Sequence, residues 1–176
     1  MSKIKQTTIQ GGKHSSWYYI NDLRAQLILI IACVICYGNT FFNDYSLDDD
    51  FAVTQNAFIQ KGIAGIPDLL THPYAVTNDK SIDYRPVSGI ILAIEQQFFR
   101  GNPHVSHLVN IVLFAFCVLL IFTILKKVFG LHHLHPVLPL MIALVFAVHP
   151  VHTEVVNSIK NRDEILSLSF ITDYFW

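Results

Sequence analysis

The chain alternates long apolar runs with short polar interruptions, and the runs have helical length. Residues 25–42 are apolar except for Gln26, Asn39 and Thr40. At about 1.5 Å per residue, that run is just long enough to cross a bilayer. Residues 105–129 form a second run closed by Lys126-Lys127, and 131–148 form a third that opens on a turn holding His132, His133 and His135. A fourth run begins at 165 and reaches residue 176, with Asp173 intruding. Too few residues follow for that helix to cross, so the pattern predicts the N-terminal portion of a longer protein. The remaining pieces are a loosely ordered tail over 1–24, a polar loop over 43–104 and a second polar segment over 149–164.

The long loop is itself patterned. Phe51, Ala52, Ala57, Phe58 and Ile59 predict a helix directly after Asp48-Asp49-Asp50, with one of these carboxylates as its N-cap. Pro86 opens another helix over 87–99. Its short length and its Glu95, Gln96 and Gln97 rule out a span and fit a helix lying at the membrane interface. Gly101-Asn102-Pro103 ends it. His107 and Asn110, three residues apart near the start of the second run, share a helix face and point inward at one depth. The predicted fold class is all-α, a polytopic helical membrane protein with a helical first outer loop.

Composition narrows the class. Apolar residues make up 52% of the chain and charged residues 14%, well short of the quarter typical of a soluble domain. A net charge of −1 leaves no basic stripe for nucleic acid. Lys3, Lys5, Lys13 and Arg24 outweigh Asp22 before the first run, and Lys126-Lys127 follow the second. That asymmetry places the N-terminus in the cytoplasm and the Asp run outside, in a periplasm or lumen. The first run continues past Cys33 and reads as a retained signal-anchor. Cys33, Cys36 and Cys117 all lie inside apolar runs, with no polar flank to lower a thiol pKa, so they read as packing residues and not as a disulfide or redox pair.

Each Asp at mid-bilayer costs about 2.5–3.5 kcal/mol on the insertion scale, so three in a row mark where the chain meets water. Topology returns two further polar clusters to the same face, Tyr84-Arg85-Pro86 and the 149–164 segment. Carboxylates there can act as a general base, Arg and His can neutralise an anionic leaving group, and a cleft at the membrane suits a substrate with a lipid tail. The same residues also fit ordinary loop duties, with Asp capping a helix, Arg85 at the headgroups and His149-Pro150 ending a helix. No metal is expected. His149, His152 and Glu154 lack the four-residue histidine spacing of a helical metal motif, Pro150 disturbs the helix, and the three histidines after 131 have no fourth ligand.

Four stretches carry a resemblance: Tyr84-Arg85-Pro86; His107-Leu108-Val109-Asn110-Ile111; Phe146-Ala147-Val148-His149-Pro150-Val151-His152-Thr153-Glu154-Val155-Val156; and Arg162-Asp163-Glu164-Ile165-Leu166. In this order they resemble the transmembrane and tetratricopeptide-repeat O-mannosyltransferase family, of the C-type glycosyltransferase superfold. The resemblance implies an inverting transferase that moves a sugar, usually mannose, from a polyprenyl or dolichyl phosphate to Ser or Thr hydroxyls of an acceptor protein, without cofactor or metal. It implies an acidic pair at Asp48 and Asp49, one of them deprotonating the acceptor, with Asp50 as an extra. Arg85, His149, His152 and Arg162 are its candidates for binding the donor phosphate, with Glu154 and Glu164 orienting them. Asn161 stands where the family prefers Gly, Asp173 interrupts the fourth run, and the tetratricopeptide repeats are not in this sequence. A non-catalytic membrane anchor or scaffold, an inert fragment, and a lipid-modifying polyprenyl-phosphate-sugar transferase are the alternatives. A bacterial inner membrane is the expected location, with the endoplasmic reticulum membrane as the alternative; the outer segments contain no Asn-x-Ser/Thr signal.

Overall fold

The computed structural model describes residues 21–46, 49–50, 53–72, 75–77, 80–82, 84–132 and 134–174. Helix α1 (Asp22–Tyr37) starts where the Asn21 side chain accepts the Arg24 N–H, and continues as a 3-10 helix over Gly38–Phe42. Short helices α2 (Ala57–Gln60) and α3 (Ile66–Thr71), with a 3-10 turn (Gly62–Gly65) between them, build the outer loop. Helix α4 (Pro86–Phe99) follows, then α5 (Pro103–Leu131), α6 (Leu138–Ala147), α7 (His152–Asn157) and α8 (Arg162–Tyr174). Proline sits in the first turn of α3, α4, α5 and α6, where its missing N–H costs nothing. Arg100 and Gly101, both at positive φ, terminate α4 as the Gly-Asn-Pro sequence predicts.

The described residues are helical apart from one short antiparallel hairpin, β1 (Ala75–Thr77) with β2 (Lys80–Ile82), pairing Ala75 with Ile82 and Thr77 with Lys80. An all-helical reading of the loop did not anticipate this hairpin, whose intervening Asn78-Asp79 lacks the glycine that usually signals one. Phe51 and Ala52, on which a helix directly after the Asp run was expected, lie outside the described residues. Beside them Asp50 N bonds to Ser46 O and Val53 N to Asp49 O, both helical in pattern, and α2 starts with Asn56 as its cap.

Two helical stretches are long and apolar enough to cross a membrane, 22–42 and Pro103–Leu131, while α6 is a shorter apolar helix of 10 residues. One core joins them. Ala25, Leu29, Cys33 and Tyr37, spaced by one helical turn along α1, meet Ile111, Phe114, Val118 and Phe122 of α5 and Leu140, Ala143 and Ala147 of α6. Ala143 and Ala147 are fully buried, and such small residues let helix backbones approach closely. The opposite faces carry exposed Ile28, Ile31 and Ile35 on α1, Val112 and Phe116 on α5, and Met141 and Val145 on α6. That outward apolarity suits a hydrocarbon surround.

A second, smaller core sits in the outer layer, where Val53, Ile59, Leu69, Leu92 and Ala93 receive Ile159 from the segment between α7 and α8. Two polar segments far apart in sequence are thus joined by one apolar plug. Gly65 is required beneath it, because a Cβ there would overlap the Phe58 carbonyl oxygen. A Gly65→Ala variant is expected to destabilise this layer by about 1–3 kcal/mol, the usual cost of overpacking, read as a lower thermal midpoint in detergent and faster proteolysis within the loop.

Candidate functional site

The polar side chains of the outer layer converge on the strap 158–163 that links α7 to α8. Arg162, the first residue of α8, has no exposed surface. Its Nη1 donates to Glu95 Oε1 at 2.7 Å, its Nε to Asn110 Oδ1 at 2.7 Å and its Nη2 to the Ser106 carbonyl at 3.0 Å. Glu95 in turn accepts the Ser106 hydroxyl at 2.6 Å, and Tyr45 lies 3.4 Å from that hydroxyl. The amide of Asn110 donates to the carbonyls of Val156 at 3.2 Å and Ser158 at 3.1 Å, satisfying acceptors that the end of α7 leaves open. Burial pushes the Tyr45 phenol above its ordinary pKa; the Ser106 bond opposes the rise and the Glu95 carboxylate adds to it.

Asp49 approaches the strap from the other side and is fully buried. One oxygen accepts the Ser46 N–H and hydroxyl, at 3.2 and 2.7 Å; the other accepts the Lys160 N–H at 2.9 Å and the Ser158 hydroxyl at 3.4 Å. Ser46-x-x-Asp49 is a capping-box spacing. Asp49 reaches back to the Ser46 N–H as the acid of a capping box does, and the Ser46 hydroxyl donates to the same carboxylate oxygen. Asp48 lies outside the described residues. Arg85, half-buried before α4, donates to Asp163 at 2.8 Å and to the Lys160 carbonyl at 3.4 Å.

The remaining predicted residues take other places. His149 is exposed past α6, where Nδ1 accepts the Val151 N–H at 3.2 Å. His152 is half-buried, its ring 4.3 Å from Phe146 and 5.3 Å from Phe114. Tyr37 ties this corner to α1 by donating to the Ala147 carbonyl at 3.0 Å. Glu154 and Glu164 are both exposed. The carboxylate that orients Arg162 is Glu95, because α4 brings it to the buried start of α8 while residue 164 faces outward. Asp49, Arg85 and Arg162 are thus brought together, with Glu95, Ser106, Ser158 and Lys160 as partners that motif reading passed over. Among the described residues, no group of three His, Cys, Asp or Glu side chains is placed to hold a metal ion.

The chain is 29% identical over 160 residues to protein O-mannosyl-transferase TMTC4 of Homo sapiens, covering 83% of this chain and 22% of that protein. It is 30% identical over 148 residues to protein O-mannosyl-transferase TMTC1 of Homo sapiens, covering 81% and 16%. The chain belongs to the transmembrane and tetratricopeptide-repeat O-mannosyltransferase family. A third member, protein O-mannosyl-transferase TMTC3 of Mus musculus, is 28% identical over 167 residues, covering 88% and 17%. The chain spans 16% to 22% of the length of these O-mannosyltransferase relatives, which fits an N-terminal portion. No family model and no solved structure matches it.

The His152 environment has a pH consequence. Burial against the aromatic rings, and secondarily His149, lowers its pKa from the ordinary 6.5. The unfolded chain therefore takes up this proton first as pH falls, so the contribution to stability is complete above 6.5 and is lost below it. Thermal midpoints measured on either side of pH 6.5 are expected to drop on the acid side, and a His152→Phe variant should lose that part of the dependence.

Proposed function

We propose that the parent protein transfers mannose from a polyprenyl- or dolichyl-phosphate donor to Ser or Thr hydroxyls of an acceptor protein with inversion, and that this segment supplies the acidic outer edge of its site. The observation carrying this reading is the convergence of Asp49, Arg85 and Arg162 on one strap, in a chain whose relatives are named protein O-mannosyl-transferases. The chain is polytopic in this reading, with a cytoplasmic N-terminus and the strap on the outer face. A bacterial inner membrane is favoured over the endoplasmic reticulum.

The acidic pair divides its work. Both Asp49 oxygens already accept hydrogen bonds from the protein, so Asp49 anchors the loop, and Asp48 is the residue proposed to take the acceptor's proton as its oxygen attacks the anomeric carbon. Arg85 is the proposed cation for the departing phosphate, since its side chain keeps 25% exposure. The rings of His149 and His152 stand 6.1 Å apart and are proposed, with the exposed Glu154 and Glu164, to contact acceptor or donor.

The rival is a non-catalytic membrane scaffold, favoured by how completely Asp49 and Arg162 are engaged by their neighbours. Membranes carrying the full-length parent, supplied with radiolabelled polyprenyl-phosphate-mannose, separate the two. Asp48→Asn is expected to lower transfer at least about 10²-fold, the low end for removing a general base, with insertion unchanged. Asp49→Asn is expected to lower both transfer and thermal stability. Transfer that is indifferent to both substitutions selects the scaffold.

A further inference from the structure

Arg162 is among the largest fully buried side chains of the protein, and Glu95 beside it keeps only 8% side-chain exposure. A buried ion pair is at best near break-even against well-packed apolar residues, so stability alone does not account for it. The outer layer already has its own apolar core around Leu92 and Ile159. What an Arg–carboxylate pair adds is fixed geometry, through short, directional, charge-assisted bonds.

The element whose position it fixes is the strap. Arg162 lies two residues beyond Lys160, whose N–H is bonded to Asp49, and four beyond Ser158, whose hydroxyl reaches the same carboxylate. Asn110 accepts from Arg162 and donates to the Ser158 carbonyl, so it grips the strap and the guanidinium together. Contacts therefore run without a gap from Glu95 on α4, through Arg162 and Asn110, to Ser158 and on to Asp49.

We propose that Glu95 and Arg162 are a positioning couple that holds the strap where it docks the acidic loop, and that Arg162 does not touch the donor phosphate. This rests on the O-mannosyltransferase reading above. A phosphate reaching this guanidinium has to displace Glu95 from a site with no solvent opening. Arg85, bonded to the same strap, keeps 25% side-chain exposure.

The test uses Arg162→Lys in the full-length parent, which keeps the charge and loses the forked geometry. A positioning role predicts that kcat falls about 10²-fold, the scale of an ångström-sized misplacement, while donor KM stays within about twofold. It also predicts faster amide hydrogen exchange at Ser46 and Lys160, the two N–H groups held by Asp49. A raised donor KM with exchange at those amides unchanged overturns the proposal and returns Arg162 to the phosphate. Ser106→Ala removes one bond to Glu95, leaves both charges paired, and should give a smaller change in the same direction; it carries the test if the lysine variant does not accumulate. If the wild-type parent moves no label, the transferase reading fails by itself, and amide exchange still decides whether the couple holds the strap.

Discussion

A guanidinium that has given up water must find its acceptors in the protein, and in this chain that demand organises the outer layer. Arg162 draws a carboxylate from α4, an amide and a carbonyl from α5, and through them the end of α7. None of these groups is free to move independently once the others are satisfied, because breaking one leaves a buried charge or dipole unpaired. The apolar core around α1, α5 and α6 sets where the helices stand. The buried pair sets how the polar segments above them are stacked.

Asp49 shows how the same physics reaches the candidate chemistry. Its carboxylate closes a helical turn with Ser46 and, on its far side, holds the strap by Lys160 and Ser158. A carboxylate bonded on both oxygens is committed to holding two segments together, which is why adjacent acids of one motif can differ in role. Arg85 and Asp163 pair closer to solvent, with side-chain exposures of 25% and 29%.

Much of this was legible in the sequence, and the misses have physical causes. Proline at 86 and 103, the Gly101 break, and the inward pair His107 and Asn110 are local signals, and local signals set the starts, stops and faces of α4 and α5. Glu95 was visible only as polarity in a short helix, because its partner lies 67 residues further on and no spacing rule links the two. The Ser46-x-x-Asp49 cap was written in the sequence but masked by the chemical appeal of three consecutive carboxylates. The hairpin of Ala75–Thr77 and Lys80–Ile82 was missed because Asn78-Asp79 carries no glycine to mark a tight turn.

The Asn110 side chain bonds to residues 46, 48 and 52 positions later in the chain, and Glu95 bonds to one 67 positions later. A growing polypeptide therefore builds the cradle well before it makes the cation that fills it. During that interval Glu95 lacks its Arg162 partner, and Asp49 has its cap but no strap. The last partner of this layer is thus also the last to be synthesised, and the polar network cannot be complete before residue 162 exists.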